Sequence, residues 1–147
     1  MPKIEHSIEI NSTKERLWQI ISDVDNESEY WWGTKEVRNI SREGNEINRE
    51  ITQNFRNSTI KQKVILHPNE DSVEVRYLKG INEGVKILTI EPIGENSQRL
   101  KAFWDIHFPG IYRLGTPFIK RHVERGTIAA LERVKKAAEV QTQQAKI

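Results

Sequence analysis

Ile4, Ile8 and Ile10 alternate with Glu5 and Glu9 near the start of the chain, the period of a strand with one buried face. The period then changes. In NSTKERLWQIISDV, Leu17, Ile20, Ile21 and Val24 fall on one stripe, which predicts a helix over about 13–23. Asn11, Ser12 or Thr13 can accept hydrogen bonds from the free amides at its start, and Ser12 with Glu15 has the spacing of a capping box. Asp25 and Asn26 introduce a second, very short helix that ends in Tyr30-Trp31-Trp32-Gly33.

Six strand-like segments follow, near 34–42, 45–55, 58–67, 72–79, 84–92 and 97–108. The breaks between them contain Gly, Asn, Asp or Pro and are short enough for hairpins, so the segments read as an antiparallel meander. Pro109-Gly110 ends the last strand. From about 115 to 141 the helical period returns, with Ile119, Val123, Gly126, Ala130, Val134 and Ala137 at spacings of three and four. Such a helix is roughly 38 Å long at 1.5 Å per residue. Residues 141–147 carry no packing pattern and are expected to fray. The order predicts an α+β fold: a curved seven-stranded antiparallel sheet around a long C-terminal helix, with two short helices after the first strand. A long helix needs a surface that bends around it, and a twisted antiparallel sheet supplies one.

Composition narrows the function. The 147 residues suit one domain, with an ordered core over about 3–140. Lys and Arg number 23 against 21 Asp and Glu, which predicts no general pull toward nucleic acid or an anionic membrane. There is no cysteine, so disulfides, thiolate nucleophiles and cysteine metal sites are excluded. The N-terminus is charged where a signal peptide is apolar, and no apolar run reaches a membrane span. The expectation is a cytoplasmic protein with no integral membrane segment; the oligomeric state is left open.

Three segments carry a resemblance. IEINSTKERLWQIISDVDNESEYW combines an opening strand, a helix with a Leu-Trp pair, a Ser-Asp step and a second helix ending in aromatics. The glycine-punctuated meander is the second, and FIKRHVERGTIAALERVKKAAE the third. Together they resemble the START/Bet v 1-like superfamily, in its polyketide cyclase/dehydrase and lipid-transport branch, over about residues 3–140. The resemblance implies a helix-grip fold with a cavity between sheet and long helix. It also implies binding of lipids, sterols, polyketides or other apolar small molecules, and it sets the Tyr30-Trp31-Trp32 region at the pocket mouth. Some relatives are enzymes.

A cavity needs missing volume, and the long helix offers it at Gly126, Thr127, Ala130 and Ala137. A mid-helix glycine costs about 1 kcal/mol against alanine, which either close packing or room for a ligand would offset. On the second meander strand Ile47, Ile51 and Phe55 share a face with Arg49 and Gln53. Turned inward, Arg49 either grips a ligand oxygen, pairs with a structural acid, or reaches out past the strand end. Gln62 and the Tyr77 hydroxyl are further polar candidates on inward faces. On the last strand Leu100, Ala102, Trp104, Ile106 and Phe108 read as inward. Asp105 and His107 then lie outside, and only the reverse register makes them an acid/base pair in the pocket. One of the adjacent Trp31 and Trp32 packs inward and the other sits at the rim. Phe103, Tyr112 and Phe118 are candidates for the opposite lip.

The candidate ligand-binding set is therefore Trp31, Trp32, Arg49, Gln53, Phe55, Gln62, Tyr77, Trp104, Ile119, Val123, Gly126 and Ala130. His6, His67, His107 and His122 have no metal-motif spacing, and neither a phosphate loop nor a nucleophile turn is present, so no metal or cofactor is expected and no catalytic residue is assigned. The leading expectation is a binding or transport protein for an apolar small molecule. The alternatives are a cyclase or dehydratase acting on such a ligand and a protein-interaction module.

Overall fold

In a computed structural model, which describes residues 3–53, 57–79, 83–107 and 116–145, the alternating segments become one sheet. Its strands are β1 (Lys3–Ile10), β2 (Thr34–Glu43), β3 (Glu46–Gln53), β4 (Thr59–His67), β5 (Ser72–Lys79), β6 (Glu83–Gly94) and β7 (Ser97–His107). The order across the sheet is β1-β7-β6-β5-β4-β3-β2, antiparallel throughout. β2 to β7 thus form the expected meander, and β1 returns to pair with β7. Between β1 and β2 lie helix α1 (Lys14–Ile21) and a short 3-10 helix (Val24–Glu29); α2 (Thr116–Ala145) closes the chain. This is the helix-grip α+β fold.

Local chemistry differs from expectation in one respect. Thr13, rather than Ser12, caps α1, accepting from Arg16 N at 3.2 Å. The third helical residue is then Arg16, so Glu15 completes no capping box. Ser12 is fully buried, and its hydroxyl donates to Thr13 O instead.

Irregularities in β2, in the β4–β5 pairing and near Pro92 shift the register and bend the strands. Gly84 is tied to its position. At φ 145° a Cβ there would lie 2.1 Å from Asp105 O of the neighbouring strand, so only glycine lets β6 and β7 approach.

The concave face carries Ile47, Ile51, Ile60, Val64, Val73, Val75, Leu88, Ile90, Leu100, Ala102 and Ile106, all buried. The β7 register is the expected one: Trp104 and Ile106 face in, while Asp105, paired opposite Lys3 and Val85, lies half-buried on the other face. Phe103 is on that outer face too, too far round to form a lip. Against the concave side α2 buries Thr127, Ala130, Leu131, Val134 and Ala138. That stripe is displaced from the expected one. Leu131 and Ala138 join the core, Ala137 is half-buried and Gly126 is exposed, because the 3.6-residue period lets neighbouring positions exchange faces over four turns. Phe55, Phe108, Tyr112 and the Pro109-Gly110 turn lie outside the described residues, as does the His107 side chain.

Candidate functional site: an apolar cavity over a buried charge cluster

A cavity of about 810 Å³ opens between the first half of α2 and the β3–β5–β7 end of the sheet. From α2 it is lined by Phe118, Ile119, His122, Val123, Arg125, Gly126, Thr127, Ala129 and Arg133. The sheet contributes Ile51, Gln53, Tyr77, Lys86 and Trp104, and the segment after the 3-10 helix contributes Trp31, Trp32, Gly33 and Thr34. Drug-sized ligands occupy pockets of about 300–1,000 Å³ with mostly apolar walls and a few directed polar groups. At Gly126 nothing lies within 4 Å of the place a Cβ would take, so this glycine borders open space instead of close-packed sheet.

The aromatic wall is ordered by hydrogen bonds and ring contacts. Trp104 donates its indole N–H to Thr127 Oγ1 at 2.9 Å, and that hydroxyl donates to Val123 O at 2.7 Å. Tyr77 stacks on Trp104 with ring centres 5.8 Å apart, and Trp31 meets Trp104 edge to face at 6.0 Å. The two adjacent tryptophans divide as expected. Trp31 is half-buried on the wall, whereas Trp32 is 62% exposed at the rim with the Arg133 guanidinium 3.4 Å from its ring centre.

Beneath this wall sits a cluster of buried charge. Arg49 is 1% exposed and donates to Glu27 Oε1, to Val24 O at 3.0 Å and to Gln62 Oε1 at 2.9 Å. Thr34 donates to the other Glu27 oxygen at 3.1 Å. Burial alone would raise the Glu27 carboxyl. The charges of Lys86 and Arg49 and the hydrogen bonds from Arg49 and Thr34 outweigh it and hold the group below the usual carboxylate range. Lys86 is 3% exposed, with its ammonium 3.9 Å from the Trp31 ring centre and 5.3 Å from that of Trp104. Burial pulls its pKa down to about 8; Glu27 resists that fall and Arg49 adds to it. Burial, then the Glu27 charge, pushes the Tyr77 phenol far up, so it keeps its proton at ordinary pH.

The sequence candidates divide accordingly. Trp31, Trp32, Gln53, Tyr77, Trp104, Ile119, Val123 and Gly126 all line the cavity. Arg49, Gln62 and Ala130 do not. The Arg49 fork is engaged by an acid and a carbonyl below the wall, Gln62 is held against it, and Ala130 is fully buried in the packed part of α2. Phe55 lies outside the described residues. Phe118, 80% exposed, is at the lip.

Two residues escaped sequence reasoning. Lys86 shares the inward face of β6 with Leu88 and Ile90, and that alternation was the available signal. Glu27 and Val24 are both buried although the backbone kinks at Asn26 between them, so no regular period announced Glu27. Among the described residues no group of three or more His, Asp or Glu converges to hold a metal ion, and no helix is long and apolar enough to cross a membrane.

A bent sheet gripping a helix over a roomy apolar cavity defines a helix-grip protein. Residues 1–139 match the sequence profile of the family described as polyketide cyclase / dehydrase and lipid transport, and the chain belongs to that family. Comparison with curated proteins gives no match. Among solved structures it is similar to the Zhui aromatase/cyclase from a Streptomyces species, at 17% identity and TM-score 0.82, covering 96% of this chain and 95% of that one. A START superfamily protein from Mycobacterium smegmatis aligns at 15% identity and TM-score 0.74 over 95% and 98% of the two chains. Norcoclaurine synthase from Thalictrum flavum aligns at 18% and 0.71 over 92% and 85%. At these identities the likeness speaks to the fold alone.

Proposed function

We propose that the protein is a non-enzymatic carrier that holds an apolar small molecule between the sheet and the first half of α2. The observation that carries this reading is the open space of about 810 Å³ at Gly126, walled mainly by apolar and aromatic side chains. Membership of a family described by polyketide chemistry and lipid transport agrees with it. Native mass spectrometry of the purified protein, followed by solvent extraction, tests for a bound guest. Titration with an apolar fluorescent probe tests for uptake. Gly126→Leu adds bulk to the cavity wall where nothing stands within 4 Å, so it is expected to fold normally and lose the probe. A variant that binds as well as the parent overturns the reading.

A cyclase or dehydratase is the second reading, favoured by Lys86 and Tyr77, which bring two proton-bearing groups to one wall. It requires turnover of a poly-β-keto substrate that is lost in Lys86→Met. The Glu27 carboxylate is engaged by Arg49 and Thr34, and the Tyr77 phenol is held protonated, so general-base work in this reading falls to Lys86. A protein-interaction module called for a filled interior beneath Trp31 and Trp32, and the open volume there argues against it. Residence in the cytoplasm and action as a single domain belong to this proposal as well.

A further inference from the structure

Among the described residues the cavity wall contains Lys86, Arg125 and Arg133, with His122 beside them, and not one carboxylate, although the chain as a whole is nearly balanced in charge. Three of these groups stand on α2 toward the mouth. Lys86 is different: it is buried at the inner wall. Among the described residues no group accepts a hydrogen bond from its ammonium, which lies over the Trp31 ring and near that of Trp104. Ring faces attract the ammonium but offer no acceptor for its three N–H donors. The one nearby acid does not fill that role. Arg49 holds one Glu27 oxygen and Thr34 the other, so Glu27, Arg49 and Lys86 together leave one positive charge unmatched. The Glu27 charge offsets part of the cost of burying Lys86, and a ligand anion supplies the hydrogen-bond acceptor and counter-charge that Glu27 leaves wanting.

We propose that the carried molecule is a carboxylic acid with a flat aromatic body, its carboxylate seated on Lys86 and its rings lying along Trp31 and Trp104. This rests on the carrier reading above. A carboxylate suits the site better than a phosphate. At the inner wall a single ammonium is a point charge, and the nearest guanidinium fork, Arg49, is taken up by Glu27, Val24 and Gln62, while Arg125 and Arg133 stand toward the mouth. The flat body follows from the wall, where Tyr77, Trp104 and Trp31 present ring faces and edges at 5.8 and 6.0 Å spacing.

Other charges face Lys86 from several elements. They are Glu27 on the 3-10 helix, Arg49 on β3 and Tyr77 on β5, with His122, Arg125 and Arg133 on α2. Asp23 and Tyr30 lie across a small neighbouring void. Of these, His122 is the group to control for in a pH series. With Lys86 titrating near 8 in the free protein, acid binding is strongest below that pH and weakens as pH rises through it.

Pyrenebutyrate and pyrenebutanol, titrated by fluorescence into the full chain, separate charge from body. The acid is expected to bind roughly tenfold tighter than the alcohol near neutral pH, a preference that shrinks on raising the pH past Lys86. Lys86→Met is expected to bind both equally, with alcohol affinity kept. Because it removes a buried charge, it folds at least as well as the parent. His122→Gln should keep the preference and its pH dependence. Hexadecanoate should compete more weakly than pyrenebutyrate, and a stronger hexadecanoate overturns the aromatic body. Equal affinity of the parent for acid and alcohol, or a Lys86→Met variant that still prefers the acid, overturns the carboxylate proposal while leaving the carrier reading intact. Failure of both probes to bind overturns the carrier reading itself.

Discussion

Between Thr127 and Ala138, α2 buries Ala130, Leu131 and Val134, and the void lined by Val134, Ile20, Val75 and Leu88 measures only about 20 Å³. From Phe118 to Thr127, with Ala129 and Arg133 at its far edge, the same helix over the same sheet fences about 810 Å³. The packed half is also tied down by polar contacts. Lys135 donates to Glu9 O at 2.9 Å, Glu139 accepts from Asn11 N at 3.0 Å, and Arg133 donates to Tyr30 O at 2.9 Å. The difference teaches how one helix serves stability and binding at once. Apolar bulk and carbonyl anchors hold one end on β1 and the short helices. That frees the other end to stand off the sheet, with Phe118 exposed and Gly126 facing open space.

The largest effects are expected where the two regions meet, in the charge cluster under the wall. Glu27→Gln leaves Arg49 buried without its counter-charge and should cost about 3–5 kcal/mol in chemical denaturation. Because the folded Glu27 titrates below its ordinary 4.5, its contribution is present above that pH. The gap between parent and variant should therefore close as pH falls through the lowered value. Leu131→Ala, in the packed half, should cost about 2–5 kcal/mol without changing probe affinity in proportion.

Lys86 gives a contrast of opposite sign. Its ammonium is disfavoured in the folded state, so the unfolded chain binds the extra proton between about 8 and 10.5. Stability should rise over that window, by about 3 kcal/mol, relative to a Lys86→Met control in which the rise is absent. The smallest effects fall in the open half. Gly126→Ala meets nothing within 4 Å and should stabilise the helix by about 1 kcal/mol in thermal melts. Phe118→Ala should move stability by less than about 0.5 kcal/mol while weakening probe binding, and a large loss of stability there would erase the distinction between the halves.

Much of the architecture was legible because it depends on periods of two and 3.6. The strand at 72–79 and the start of the strand at 97 were placed to the residue, and α2 was found within a few residues of its ends. Five of the cavity-lining candidates, Tyr77, Trp104, Ile119, Val123 and Gly126, are positions where a side chain or its absence declares itself in a repeating pattern, whereas Trp31 came from the family resemblance. For Arg49 pairing with a structural acid was one of three readings the spacing left open, and the acid itself was not legible, because Glu27 lies 22 positions away on an element too short to show a period. Lys86 was missed for a related reason: a lysine in an alternating strand reads as solvent-facing until the neighbouring strand shows which face is buried.

The sequence by itself determined the family, the order of the elements, the inward face of most strands and the thinness of α2 at Gly126, since these follow from local spacing and side-chain size. Only the tertiary structure decided that Arg49 is locked to Glu27 beneath the wall and that Lys86 is left as the inner cation of the cavity. It also decided that the helix closes on the sheet after Thr127 and stands away before it. Each of these turns on distances between groups far apart in the chain, and Coulomb energy and burial depend on those distances, not on spacing along the sequence.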